Sequence, residues 1–144
     1  MFLDSNVLIY AYSDSDPSKR VRARELADQP GAVISTQVLS ELANVMLRKF
    51  GLSVPDTRNR ATEVAARCEI VVVTPSIVLD ALRIHERYGF RFFDSQIIAS
   101  ALAGGASVLF TEDLQDGQTI DARLSIRSPF SSRAVRKRRT ARKP

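Results

Sequence analysis

Short apolar runs punctuate the chain, and the stretches between them carry apolar residues at helical spacing. Residues 1–4, 31–35 (GAVIS), 69–73 (EIVVV), 107–111 (SVLFT) and 123–128 (RLSIRS) have the length and apolar content of short strands. The unbroken apolar content of 69–73 predicts a strand buried on both faces. Asn6 to Tyr12 reads as a helical turn. Asp16 as N-cap and Pro17 at the first helical position predict a helix to about Ala27. From Thr36 to Phe50, the apolar residues Val38, Leu39, Leu42, Val45, Met46 and Phe50 recur at helical spacing after Ser35 as N-cap, and Gly51 is a natural stop. Further helices are predicted over 55–68, from Thr74–Pro75 to about Tyr88 with Gly89 as the stop, and over 94–103 (DSQIIASALA), closed by Gly104–Gly105. DLQDGQ, at 113–118, reads as a loop or short turn.

Strands alternating with helices, with no hairpin dipeptides between strands, imply a parallel sheet covered by helices. Sites in such sheets form beyond the carboxyl ends of the strands. The side chains that follow each strand are therefore the first place to look for chemistry.

Composition changes this picture in three respects. A chain of 144 residues fits one domain with a core that needs no staples. The single cysteine, Cys68, has no partner for a bridge or a zinc site, which suggests a reducing, cytoplasmic setting. No apolar run reaches membrane-spanning length, and the N-terminus has no basic segment of the kind that opens a signal peptide. Third, the formal charge of +5 is unevenly placed. Residues 133–144, RAVRKRRTARKP, hold seven Lys and Arg and no acid, leaving 14 bases against 16 acids before them. The body, 1–130, is mildly acidic. The tail, 131–144, has little to bury and is expected to lack fixed structure while aiding RNA binding through counterion release.

Four acids stand where this architecture would gather them. Asp4 ends the first strand, Glu41 lies on the shoulder of an apolar helical stripe, Asp94 opens a helix, and Asp113 follows VLFT. Each has an ordinary use alone: Asp4 and Asp94 as N-caps, Glu41 as a helix-surface acid, Asp113 as a turn residue. Together they are harder to dismiss, because two of them close strands on the same sheet edge. Two carboxylates ~4 Å apart repel by about 4 kcal/mol at an effective dielectric near 20. Several gathered in one place must share protons or hold a cation. With oxygen donors and no histidine or cysteine nearby, that cation is Mg2+ or Mn2+, an ion suited to phosphoester chemistry.

FLDSNVLIYA, STQVLSELANVM, FFDSQIIASAL and LFTEDL resemble, in order and spacing, the successive motifs of PIN-domain ribonucleases, in particular the VapC-type toxins of toxin–antitoxin pairs. The likeness covers residues 1–130. It implies an α/β/α sandwich with a mainly parallel sheet of about five strands and a Mg2+-dependent endoribonuclease activity. By the resemblance, Asp4, Glu41, Asp94 and Asp113 are the catalytic acids; Asp4 and Asp94 are the core metal ligands, joined by Asp113, with Glu41 completing the site. Ser5, Asn6 and Thr111 match supporting positions. Many relatives carry another acid two residues after the fourth; this chain has Gln115 there and Asp116 one further, which leaves the role of Asp116 open. The family further implies 5′-phosphate and 3′-hydroxyl products, a homodimer, and a small antitoxin whose C-terminal segment occludes the acidic groove; an arginine there is a physically sensible inhibitor, since a guanidinium can replace the metal among the carboxylates.

Other features fit less specific uses. His85, the single histidine, falls on the apolar face of its predicted helix and reads as a packed, hydrogen-bonded core residue. Arg83 and Arg87 belong to a solvated face with Asp80 and Glu86. Arg91, just before Asp94, is a candidate phosphate contact. Phe90, Phe92 and Phe93 could stack bases, though core packing is the commoner use. Two rivals stay open: a PIN-like module that binds RNA or protein without cutting, and a Mg2+-dependent phosphatase on a parallel sheet. The second needs a lysine at the sheet edge, and neither Lys19 nor Lys49 is placed at a strand end in the sequence.

Overall fold

The computed structural model describes residues 1–130, so the expectation for the basic tail lies outside the described residues. The elements are β1 (Phe2–Leu3), α1 (Ser5–Ala11), α2 (Pro17–Ala27), β2 (Val33–Ser35), α3 (Thr36–Arg48), α4 (Val54–Arg67), β3 (Glu69–Val71), α5 (Pro75–Tyr88), α6 (Phe92–Ala103), β4 (Val108–Phe110), β5 (Thr119–Ile120) and β6 (Leu124–Arg127). The strands form one sheet in the order β3-β2-β1-β4-β6-β5, parallel except for the antiparallel β5–β6 pair. Six strands replace the five expected, because β5 is only two residues long and pairs only with β6.

Local chemistry explains most boundaries. The carboxylate of Asp16 accepts from Lys19 N at the start of α2, and the hydroxyls of Ser35, Ser53 and Thr74 cap α3, α4 and α5 in the same way. Gly89 closes α5 in the left-handed conformation, φ 76°. Space around its Cα is open, so the cost of a side chain there is conformational. Gly89→Ala is expected to lower stability by about 1 kcal/mol, read as a fall of roughly 3 °C in melting temperature.

α6 is the central helix, with Ser95 through Leu102 all buried. Its C-terminal turn lies close against β2 and β3, since a Cβ at Gly104 would come within 2.9 Å of Val71 Cγ2 and 3.4 Å of Val33 Cγ1. α5 packs along α6, while α1 packs on α2 and α3, and α3 on α4. With the sheet between these groups the chain is an α/β/α sandwich. Phe2, Leu3, Ile34, Leu109, Leu124 and Ile126 from the sheet form the middle of the core.

Three local expectations are corrected. EIVVV is not buried on both faces: β3 is the edge strand, and Glu69 is exposed with Ile70 and Val71 half-buried. α6 begins at Phe92 with Arg91 as its N-cap, so Asp94 lies within the first turn instead of opening the helix. His85 is exposed, its Nδ1 bonded to the Phe90 carbonyl where the chain turns from α5 into α6. It is hydrogen-bonded as expected, but it is no core residue.

Candidate active site

β1 lies between β2 and β4, with Phe2 paired to both Val33 and Leu109. The chain leaves β1 toward β2 on one side and returns as β4 on the other, which makes the carboxyl end of this pair a topological switch point. Two segments emerge side by side there: Asp4-Ser5-Asn6 after β1 and Thr111-Glu112-Asp113 after β4. A backbone hydrogen bond from Asp4 N to Phe110 O, 3.0 Å, continues the pairing to this edge.

Asp4 is 4% exposed and caps α1. Its Oδ1 accepts from Ser5 N at 2.7 Å and its Oδ2 from the Thr111 hydroxyl at 2.8 Å. Thr111, fully buried, also accepts the Asp113 N–H at 3.2 Å. Asn6 crosses between the segments, with Nδ2 3.0 Å from Asp113 Oδ2 and 3.2 Å from Thr111 Oγ1, while its Oδ1 accepts from Glu112 N at 3.3 Å. The small polar residues expected to orient Asp4 thus also tie it to Asp113.

Glu41 reaches the same place from α3. Its Oε2 accepts from the Ser5 hydroxyl at 2.5 Å and its Oε1 from Gln37 Nε2 at 2.9 Å. Gln37 in turn lies 3.2 Å from the Phe93 carbonyl through Nε2 and accepts from Gln96 Nε2 through Oε1 at 2.8 Å. Neither glutamine stood out in the sequence. Gln37 was findable, four residues before Glu41 on the same helical face, and Gln96 is a long polar side chain inside an otherwise apolar helix.

Asp94 completes the set from the first turn of α6, lining a cleft of about 650 Å3 with Arg91, Phe92, Phe93 and Asp113. Asp116 uses Oδ1 to accept from Ser128 N at 3.0 Å, a turn contact. A smaller cavity, about 280 Å3, lies between α1, α2 and α4 and is lined by Tyr12, Arg24, Glu63 and Cys68, none of them a candidate acid. Lys19 lies nearer the site than its sequence position suggested. Its ammonium pairs with Glu112, beside Asp113.

The electrostatics are those of a negatively charged crevice. Burial pushes the Asp4 carboxyl up to about 6; the Thr111 hydroxyl and Ser5 N–H oppose this, and the charges of Glu41 and Asp113 add to it. Asp94 is raised too, first by burial and then by Asp113, with Arg91 pulling the other way. Carboxylates that raise one another's pKa lack positive charge, which a hard divalent ion would supply. Among the described residues, no three acid, histidine or cysteine side chains stand close enough to cage an ion by themselves. The donor set suits a cation held by one or two carboxylates that keeps several waters, as Mg2+ does.

The mainly parallel α/β/α sandwich brings acidic side chains to the carboxyl edge at its β1–β4 switch point, where sheets of this kind form their sites. The family follows from the sequence: residues 1–115 match the PIN domain model, and the chain belongs to the PIN domain family. Asp4 directly follows the first strand of that match, and Asp113 lies near its C-terminal end.

Three solved structures share the fold. One is a toxin–antitoxin complex from Klebsiella pneumoniae, 20% identical, covering 90% of this chain and 98% of that one with a TM-score of 0.68. Another is VapC20 of Mycobacterium tuberculosis, described as a sarcin–ricin loop cleaving toxin, 19% identical over 78% of this chain and 90% of that one, TM-score 0.63. The third is VapBC2 from Rickettsia felis bound to a fragment of its promoter DNA, 20% identical over 88% and 96%, TM-score 0.63. No curated protein matches the sequence. Among the described residues no helix is long and apolar enough to cross a membrane.

Proposed function

We propose that the protein is a divalent-metal-dependent endoribonuclease, the toxin of a toxin–antitoxin pair. The observation that carries this reading is the convergence of Asp4, Glu41, Asp94 and Asp113, from four separate elements, on one crevice at the β1–β4 switch point. Membership of the PIN family and the likeness to toxins of such pairs support it.

Asp4 and Asp94 would hold Mg2+ or Mn2+ directly, with Asp113 and Glu41 completing the site through water. Such an ion, when bound, supplies Lewis acidity to a phosphoryl oxygen and makes water a better nucleophile. The chain's own part is positioning. Thr111 and the Ser5 N–H fix the direction of the Asp4 lone pairs, and Asn6 does the same for Asp113. Glu41, oriented by Gln37 and Ser5, would take the proton from an attacking water. Arg91 lines the cleft and offers a guanidinium there for a phosphate.

RNA is the substrate in this reading, a second copy of the chain and a small antitoxin are its protein partners, and the cytoplasm is its setting. An arginine of the antitoxin, seated among the carboxylates, would inhibit by taking the place of the cation. The rival phosphatase reading gains little from Lys19, because Glu112 already neutralises it.

Incubating the purified protein with defined RNAs tests the proposal. Cleavage is expected in Mg2+ or Mn2+ and not in EDTA, and intact RNA under all metal conditions would reject it. Binding of the ion alone has a separate signature. Millimolar Mg2+ or Mn2+ is expected to raise the melting temperature by several degrees, since only the folded chain assembles the site.

A further inference from the structure

Phe92 and Phe93 stand side by side at the start of α6 and have opposite fates. Phe92 is partly buried and packs on the core, while the ring of Phe93 is 66% exposed. Single exposed apolar residues are ordinary. The other large exposed ones among the described residues, Val21, Leu47, Val54, Val72, Leu79 and Leu82, are all aliphatic.

Two observations set Phe93 apart. It lines the cleft that also holds Asp94, Asp113 and Arg91. It is also braced, its ring meeting that of Phe92 edge-on at 5.4 Å between centroids and 70° between planes, and its carbonyl accepting from Gln37, the residue that orients Glu41. A flat π surface beside the charged groups of the cleft has the chemistry of a base platform. Phe90, by contrast, already stacks on Tyr88 at 6.0 Å and packs on the core.

We propose that Phe93 and Arg91 seat an unstacked nucleotide next to the scissile phosphodiester, the base on the Phe93 ring and its phosphate on the Arg91 guanidinium. This deepens the ribonuclease reading and rests on it. Bases in a duplex present their faces to one another, so the ring is open only to a base splayed out of its stack.

The test places 2-aminopurine in a short single-stranded RNA and follows its fluorescence in the Asp4→Asn background, so that the RNA survives the measurement. Protein with Phe93 quenches the probe and Phe93→Ala does not, with RNA affinity lower by between about five-fold and a hundred-fold. Phe93→Trp and Phe93→Tyr hold affinity within about three-fold, whereas Phe93→Leu, apolar but without a π face, behaves like the alanine variant. With Asp4 intact, Phe93→Ala raises KM for the single strand and leaves kcat within about three-fold.

Unchanged affinity and KM in Phe93→Ala would overturn the seat. So would a Phe93→Leu protein as good as Phe93→Trp, which means packing and not stacking. A change of oligomeric state with RNA binding intact would assign the ring to a protein contact instead. Quenching that depends on Phe93 in a wild-type protein that cuts no RNA would leave the seat standing and reject the ribonuclease reading.

Discussion

Asp4→Asn and Asp94→Asn each lower the rate of RNA cleavage by at least about a hundred-fold, the scale seen when a group that stabilises developing charge is removed. The double variant is expected to lose little more, because in the proposed reading both side chains would act on one ion and such effects are far from additive. Asn keeps the size of Asp and leaves an acceptor for Ser5 N, so the loss reads as chemistry and not as misfolding. Initial rates on one RNA at fixed Mg2+, with melting curves beside them, make the comparison. Cleavage that persists in both variants would place the activity elsewhere.

In the absence of divalent ions the Asp4→Asn protein is expected to be the more stable one near pH 7.5. The Asp4 carboxyl is raised from 3.8 to about 6, so the folded state holds the proton more tightly than the unfolded state. Below about pH 4 the carboxyl is protonated in both states and costs nothing. As the pH rises through 6 the folded protein must carry a buried charge, and stability is lost over that window. A rise of that size costs the folded state about 3 kcal/mol once the pH is well above 6.

Asparagine carries no charge, so its advantage over wild type should grow between pH 4 and 7 and then level off. Thermal unfolding in EDTA at several pH values reads this as a difference of several degrees at the upper end. Millimolar Mg2+ should narrow or reverse the gap by stabilising only the wild-type protein. A pH-independent difference would mean that Asp4 carries no such burden. Asp94, also raised but only partly buried, should show the same sign more weakly.

What could be read in advance was what local chemistry encodes. Asp16–Pro17, Ser35, Thr74–Pro75 and Gly89 are caps, and a cap acts within a few residues of itself, so helix limits followed closely. The carboxyl-edge positions of Asp4 and Asp113 were legible because each lies within a few residues after an apolar run read as a strand. Asp94 came forward as a helix start and proved to be two residues inside one, since Arg91 opens α6 without a side-chain hydrogen bond and leaves no local mark.

Non-local facts were out of reach. Apolar content made 69–73 look central, but whether a strand has neighbours on both sides is decided by the whole sheet. β5, two residues long, carries no periodicity of its own and exists because β6 is there to pair with. The bridges of Asn6 to Thr111 and Asp113 span more than a hundred residues, and no spacing rule announces them. His85 was placed on an apolar stripe by projection, yet the helix turns that position outward. Leu82, three residues before it, is half exposed for the same reason.

The hydroxyl that fixes Asp4 arrives 107 residues after it. β1 is an inner strand of the sheet although it is made first, and it must wait for β4 before one of its edges is covered. A chain still growing on the ribosome therefore has its first acid in hand and no means of aiming it. The Asp4–Thr111 contact can form only once the segment after β4 has been made, so the crevice is assembled late in the synthesis of residues 1–130.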